Sequence, residues 1–129
     1  MVEQFNYGPI VIDHFMHPRN MGEMENPDGM GEAKNPVCGD TMRLYIKVES
    51  DRITEVKFLT FGCGAAIASS SLATEMIKDK TIEEALQIKD EDIIKALGGL
   101  PEAKVHCSVL AEMAIRAAVE DYRKKVSQK

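Results

Sequence analysis

Met42-Arg43-Leu44-Tyr45-Ile46-Lys47-Val48-Glu49, then Ser50-Asp51-Arg52, then Ile53-Thr54-Glu55-Val56-Lys57-Phe58-Leu59-Thr60-Phe61, is the stretch whose pattern sets the fold. In its first part Met42, Leu44, Ile46 and Val48 alternate with Arg43, Tyr45, Lys47 and Glu49. This period of two is the signature of a strand with one buried face. The last part is rich in β-branched and aromatic residues (Ile53, Thr54, Val56, Phe58, Thr60, Phe61), which suit a pleated surface. Two such runs joined by a short polar turn read as an antiparallel hairpin.

Downstream of Gly64 the pattern turns helical. Ala65 to Lys78 reads as one helix, and Thr81-Ile82-Glu83-Glu84 carries the Thr-x-x-Glu capping box that opens a second. Asp90 is placed to cap a third, which Gly98-Gly99 ends. A long final helix runs from about His106 to about Lys125, with Leu110, Met113, Ala114, Ala117 and Val119 as its apolar face. Upstream, Pro9 opens a short helix carrying Ile10, Val11, Phe15 and Met16, and Pro18 stops it. Arg19 to Asp40, rich in Asn, Gly and Pro, reads as loop with at most one short strand, and ordered loops this long are usually functional. Strands first and helices afterwards imply an α+β fold, a small antiparallel sheet of about three strands with helices packed on one face, in a single domain over residues 1–129.

The 129 residues suffice for one self-supporting core. Tryptophan is absent, aromatics make up 5% and net charge is −5, so a nucleic-acid partner, which favours stacking rings and a basic face, is not expected. Arg123-Lys124-Lys125 reads instead as the cationic end of a helix. No leader pattern or membrane-length apolar run is visible, and an odd, sparse set of cysteines fits a reducing compartment. These features imply a soluble, cytoplasmic protein.

The three cysteines lie in Asn35-Pro36-Val37-Cys38-Gly39-Asp40, Phe61-Gly62-Cys63-Gly64 and Lys104-Val105-His106-Cys107-Ser108. Scattered thiols without a Cys-x-x-Cys spacing often pack as small hydrophobes. Here each sits in a loop or at the start of a helix, outside any regular apolar stripe. Gly39, Gly62 and Gly64 permit tight turns and close approach of the backbone to a bound object. Asp40 and His106 add a hard oxygen and an imidazole to the soft sulfurs, a donor mixture suited to zinc or an iron–sulfur site. Cys63 and Cys107 fall at helix N-termini, where unpaired N–H groups favour the thiolate. For Asp40 a turn-capping carboxylate, and for His106 a helix-start residue bonded to backbone, remain alternatives.

Asn35 to Asp40, the run Thr60 to Ser71 and His106-Cys107-Ser108-Val109-Leu110-Ala111-Glu112, in this order, closely resemble the IscU/NifU-type iron–sulfur scaffold family, over roughly Tyr7 to Lys125. The resemblance implies a SufE/IscU-like domain on which a 2Fe–2S cluster is assembled and passed to acceptor apoproteins, with sulfur arriving as persulfide from a cysteine desulfurase. Such a protein is a scaffold and carrier, not an enzyme. By position, Cys38, Cys63 and Cys107 become the sulfur ligands, Asp40 a weak ligand, and His106 an alternative ligand or gate. Cys107 becomes the persulfide acceptor. Zinc is an alternative occupant of the cluster-free site, and a homo-oligomer is left open for the loaded state. A carboxylate or imidazole in the fourth place leaves one iron less firmly held, which suits a donor. Leu100-Pro101-Glu102-Ala103-Lys104 resembles the Leu-Pro-Pro-Val-Lys site read by DnaK/DnaJ-type chaperones, but Glu102 and Ala103 depart from it. The resemblance is to the scaffold module alone of the larger NifU proteins, so their further iron–sulfur modules are not expected here.

The nearest alternative is a SufU-type zinc-dependent sulfurtransferase that uses the same cysteines and aspartate. Against it stands His106 next to Cys107, with no insertion before the third cysteine. A thiol hydrolase pairing Cys107 with His106 is disfavoured, because adjacent helical residues project about 100° apart. Ser69-Ser70-Ser71 reads as small residues in a packed helix.

Overall fold

The hairpin forms where the alternation places it. In the computed structural model, which describes residues 8–35, 39–62, 64–100 and 105–127, β2 (Thr41–Glu49) pairs antiparallel with β3 (Arg52–Phe61). Ser50 and Asp51 both have positive φ, 50° and 66°, the requirement of a two-residue hairpin turn whose twist matches its strands. Arg52 belongs to the strand rather than to the turn. The Asn/Gly/Pro-rich segment contributes a short strand, β1 (Gly29–Lys34), paired antiparallel with β2. The sheet order is β1-β2-β3.

Pairing shifts between Lys47 and Val48, from Lys47↔Glu55 to Val48↔Ile53. Thr54 is the extra residue, and the irregularity turns both Ile53 and Val56 inward despite their odd spacing. Asn20 to Gly22 runs beside β3, exchanging backbone hydrogen bonds with both polar groups of Phe58 and covering that edge.

Among the described residues the helices are α1 (Pro9–Met16), α2 (Gly64–Ile77), α3 (Ile82–Leu86), α4 (Asp90–Leu97) and α5 (His106–Ser127). Met42, Leu44, Ile46, Ile53, Val56 and Phe58 of the sheet form one core with residues of α1 to α5. Helix α5 reaches β1 at van der Waals distance because β1 carries two glycines. A Cβ on Gly31 would lie 2.3 Å from the Ala118 nitrogen, and one on Gly29 would lie 2.4 Å from the Ala118 oxygen.

The capping box of α3 is present, with Glu84 N–H donating to Thr81 Oγ1 and Thr81 N–H donating to Glu84 Oε1. For α4 the expectation is corrected. Lys89 is the capping position, its N–H donating to Asp92, while Asp90 is the first helical residue and donates its own N–H to Glu112 of α5. On α5 the buried side includes Leu110, Ala111, Ala114, Ile115, Ala118 and Val119, whereas Met113 is 48% exposed and leaves the face assigned to it. In α1, Val11 and His14 turn inward and Ile10 and Met16 outward.

The serines are more than spacers. Ser71 Oγ lies 2.8 Å from His14 Nδ1 and accepts from the Arg19 N–H at 2.8 Å, so α2 holds α1 and its exit through one hydroxyl. Among the described residues no helix is long and apolar enough to cross a membrane.

Candidate metal centre

Asp40 immediately precedes β2, and its loop is tied at both ends. The Asn35 N–H donates to the Asp40 carbonyl, and the Gly39 N–H donates to the Asn35 carbonyl, each at 2.8 Å. Gly39 has φ 79°, a left-handed conformation that a Cβ would strain. His106 and Cys107 open α5, as the sequence predicts, and this end of the helix meets Asp40 at the end of the sheet.

The donor atoms converge. Cys107 Sγ lies 3.6 Å from His106 Nε2 and 3.9 Å from Asp40 Oδ2, and His106 Nε2 lies 3.9 Å from Asp40 Oδ2. Metal bonds of about 2.0–2.3 Å at tetrahedral angles separate neighbouring ligand atoms by roughly 3.3–3.8 Å. The Cys107–His106 edge falls inside that range and the two edges to Asp40 Oδ2 lie just beyond it, so the triangle approximates one face of such a tetrahedron with the carboxylate slightly withdrawn. Cys107 is 1% and Asp40 9% exposed, while the His106 side chain is 32% exposed, so the imidazole is the side of the triangle open to solvent. Low dielectric around the sulfur and carboxylate strengthens their hold on a cation.

Two expectations change here. The stated objection to a His106–Cys107 pair does not hold, since the two side chains are in contact. The start of a helix has no preceding turn to restrict the ring, so His106 can swing over its neighbour. The Cys107 sulfur beneath the ring is buried. The roles suggested for Gly62 and Gly64 also shift. Neither has a positive φ, and a Cβ on Gly62 would strike Asp40, while one on Gly64 would crowd the Phe15 ring of α1 at 3.1 Å.

Cys38 and Cys63 lie outside the described residues, as do Pro101, Glu102, Ala103 and Lys104. Asn35 and Gly39, the described residues on either side of Cys38, are joined by the Gly39 N–H donating to the Asn35 carbonyl, and Gly62 and Gly64 are the chain neighbours of Cys63. Beside His106 opens a cavity of about 220 Å³ lined by Lys34, Asn35, His106, Val109, Leu110 and Met113. Sequence reading missed this apolar rim by assigning Met113 to the core. The signal was present, because 106, 109 and 113 recur at helical spacing on one face.

Residues 6–129 match the family model described as NifU-like N terminal domain. The chain belongs to that family. An iron–sulfur cluster assembly scaffold protein IscU from Archaeoglobus fulgidus is 58% identical over 119 residues, covering 92% of this chain and 78% of that one. Its counterpart from Azotobacter vinelandii is 55% identical over 123 residues, covering 92% and 95%. Among solved structures, a scaffold protein for the SUF system from Fervidobacterium islandicum superposes with a TM-score of 0.73 at 28% identity, covering 88% of this chain and 96% of that one. The NifU-like domain thus joins its IscU relatives at about twice the identity that it shares with the SufU-type structure.

Proposed function

We propose that this chain is a scaffold on which a 2Fe–2S cluster is built from iron and desulfurase-derived sulfur, and from which the cluster passes to acceptor apoproteins. The observation that carries the reading is the convergence of Asp40 Oδ2, His106 Nε2 and Cys107 Sγ within 4.8 Å, at the end of the sheet. Its IscU relatives, by their names, are assembly scaffolds, which supports the same role here.

On this reading Cys107 holds iron through its thiolate, and by position in the motifs Cys38 and Cys63 supply the other two sulfurs. Asp40 supplies the hard, exchangeable donor. His106, the most exposed of the described donors, is the group that an incoming acceptor thiol meets first. Cluster transfer needs one ligand to leave as another arrives, and a carboxylate or imidazole yields a soft metal site more readily than a thiolate does. Cys107 is also the proposed sulfur acceptor. Its thiolate attacks the terminal sulfur of the desulfurase persulfide, the new S–S bond forms on Cys107, and the desulfurase cysteine departs as thiolate. Because Cys107 is buried, this step requires the start of α5 to open. A cysteine desulfurase and acceptor apoproteins are the partners, and reduced thiols fit a reducing compartment such as the cytoplasm.

The same donor triangle accommodates zinc, so metal identity is the test. Protein loaded anaerobically with ferric iron and sulfide is expected to retain equal amounts of both and to show visible charge-transfer bands. Stoichiometric zinc with no retained sulfide would favour the zinc-dependent sulfurtransferase.

A further inference from the structure

Gly62 follows the last residue of β3 and precedes Cys63. Its φ lies outside the left-handed region, so its backbone does not call for glycine. The space around it does. A Cβ at this position would have as its three nearest neighbours the carboxylate atoms of one side chain, Asp40 Cγ at 2.7 Å, Oδ1 at 2.8 Å and Oδ2 at 3.0 Å. Gly39, by contrast, has φ 79° and open space where its Cβ would be, so it is required by conformation alone.

We infer that Gly62 is a positioning residue for Asp40: the side chain it lacks is the space in which the Asp40 carboxylate sits while Oδ2 faces His106 Nε2 and Cys107 Sγ. The inference rests on reading Asp40 as a metal donor. A methyl group at 62 cannot coexist with the carboxylate in its present place, and ordinary contact requires a displacement of several tenths of an ångström. Metal–ligand distances tolerate about ±0.2 Å. Asp40 is nearly buried and its backbone is fixed by the Asn35 hydrogen bond and by β2, so the side chain must yield, and the donor leaves the triangle. Glycine before Cys63 thus sets the donor composition of the site from the opposite strand, without touching the metal itself.

The test is Co²⁺ titration of the full chain, followed by visible absorption, for wild type, Asp40→Ala, Gly62→Ala and the double variant, with thermal melting of the metal-free proteins. Cobalt reports its donor set by band position and affinity together. Both single variants are expected to show the same altered spectrum and an affinity loss on the order of tenfold, and the double variant no further loss. A Gly62→Ala protein with the wild-type spectrum and affinity, beside an altered Asp40→Ala, overturns the inference and leaves Asp40 as a donor. Losses that sum in the double variant overturn it too. Wild-type binding by Asp40→Ala removes Asp40 from the donor set, and the inference with it. Should Gly62→Ala fold poorly, recovery of the melting midpoint in the double variant supports the contact, and no recovery contradicts it.

Discussion

At the residue scale the site turns on three side chains of unlike hardness, held with their donor atoms 3.6–3.9 Å apart. The sequence makes the donors legible, because sulfur, imidazole and carboxylate beside glycines form a ligand mixture, but their convergence depends on contacts between distant segments. Gly62 illustrates the gap: its role is to leave room for a residue 22 positions away. If Asp40 is the exchangeable ligand, Asp40→Ala is expected to slow transfer of a loaded cluster to an apo-ferredoxin, whereas Cys107→Ser fails to hold it. Equal or faster transfer from the Asp40 variant contradicts that role. Affinity for a single ion and rate of cluster transfer are different quantities, since the first counts donors and the second follows how readily one donor exchanges. Burial of Cys107 has its own consequence. After exposure to desulfurase and cysteine without iron, mass spectrometry of single-cysteine variants is expected to find persulfide on Cys107. Iodoacetamide should label the same thiol more slowly in the folded protein than in denaturant. Persulfide confined to Cys38 or Cys63 refutes the assignment.

Elements were readable where periodicity and capping chemistry are local. Alternation from Met42 to Val48 and Thr81 with Glu84 both mean what they say, while Asp90 misleads because its N–H is satisfied by Glu112 from another helix. The docking of α1 on α2 was not legible for the same reason: His14 and Ser71 meet only in the fold. Burial, aided by the Arg19 charge, lowers the His14 pKa from 6.5, with Glu75 and Asp13 opposing. A lowered folded value means that the unfolded chain takes up the proton first. Stability is therefore expected to fall as pH drops below about 6.5 and to level off beneath the folded value. Thermal midpoints between pH 8 and 5 check this, and His14→Gln should flatten the dependence. An unchanged slope in that variant assigns the effect elsewhere.

For the whole molecule, the sheet and its long helix bring Asp40 and Cys107 together, and β1 anchors that packing through its glycines. Gly31→Ala drives a methyl into the Ala117–Ala118 backbone and is expected to cost about 1–3 kcal/mol or more in denaturant unfolding. A loss of only a few tenths would mean that α5 moves off freely. The hydrophobic pattern established α+β architecture, yet close approach of β1 and α5 is a matter of missing volume that periodicity does not report. The central claim is that this chain builds a cluster at that junction and gives it up. Its most direct test is to load the protein anaerobically with iron and sulfide, remove unbound ions, add an apo-ferredoxin, and follow holo-ferredoxin formation by circular dichroism. Loss of the donor's cluster spectrum matched by gain of the ferredoxin spectrum, in the presence of a chelator that captures free iron, is the predicted result. Failure of the protein to retain sulfide, or retention of a cluster that never reaches the ferredoxin, would contradict it.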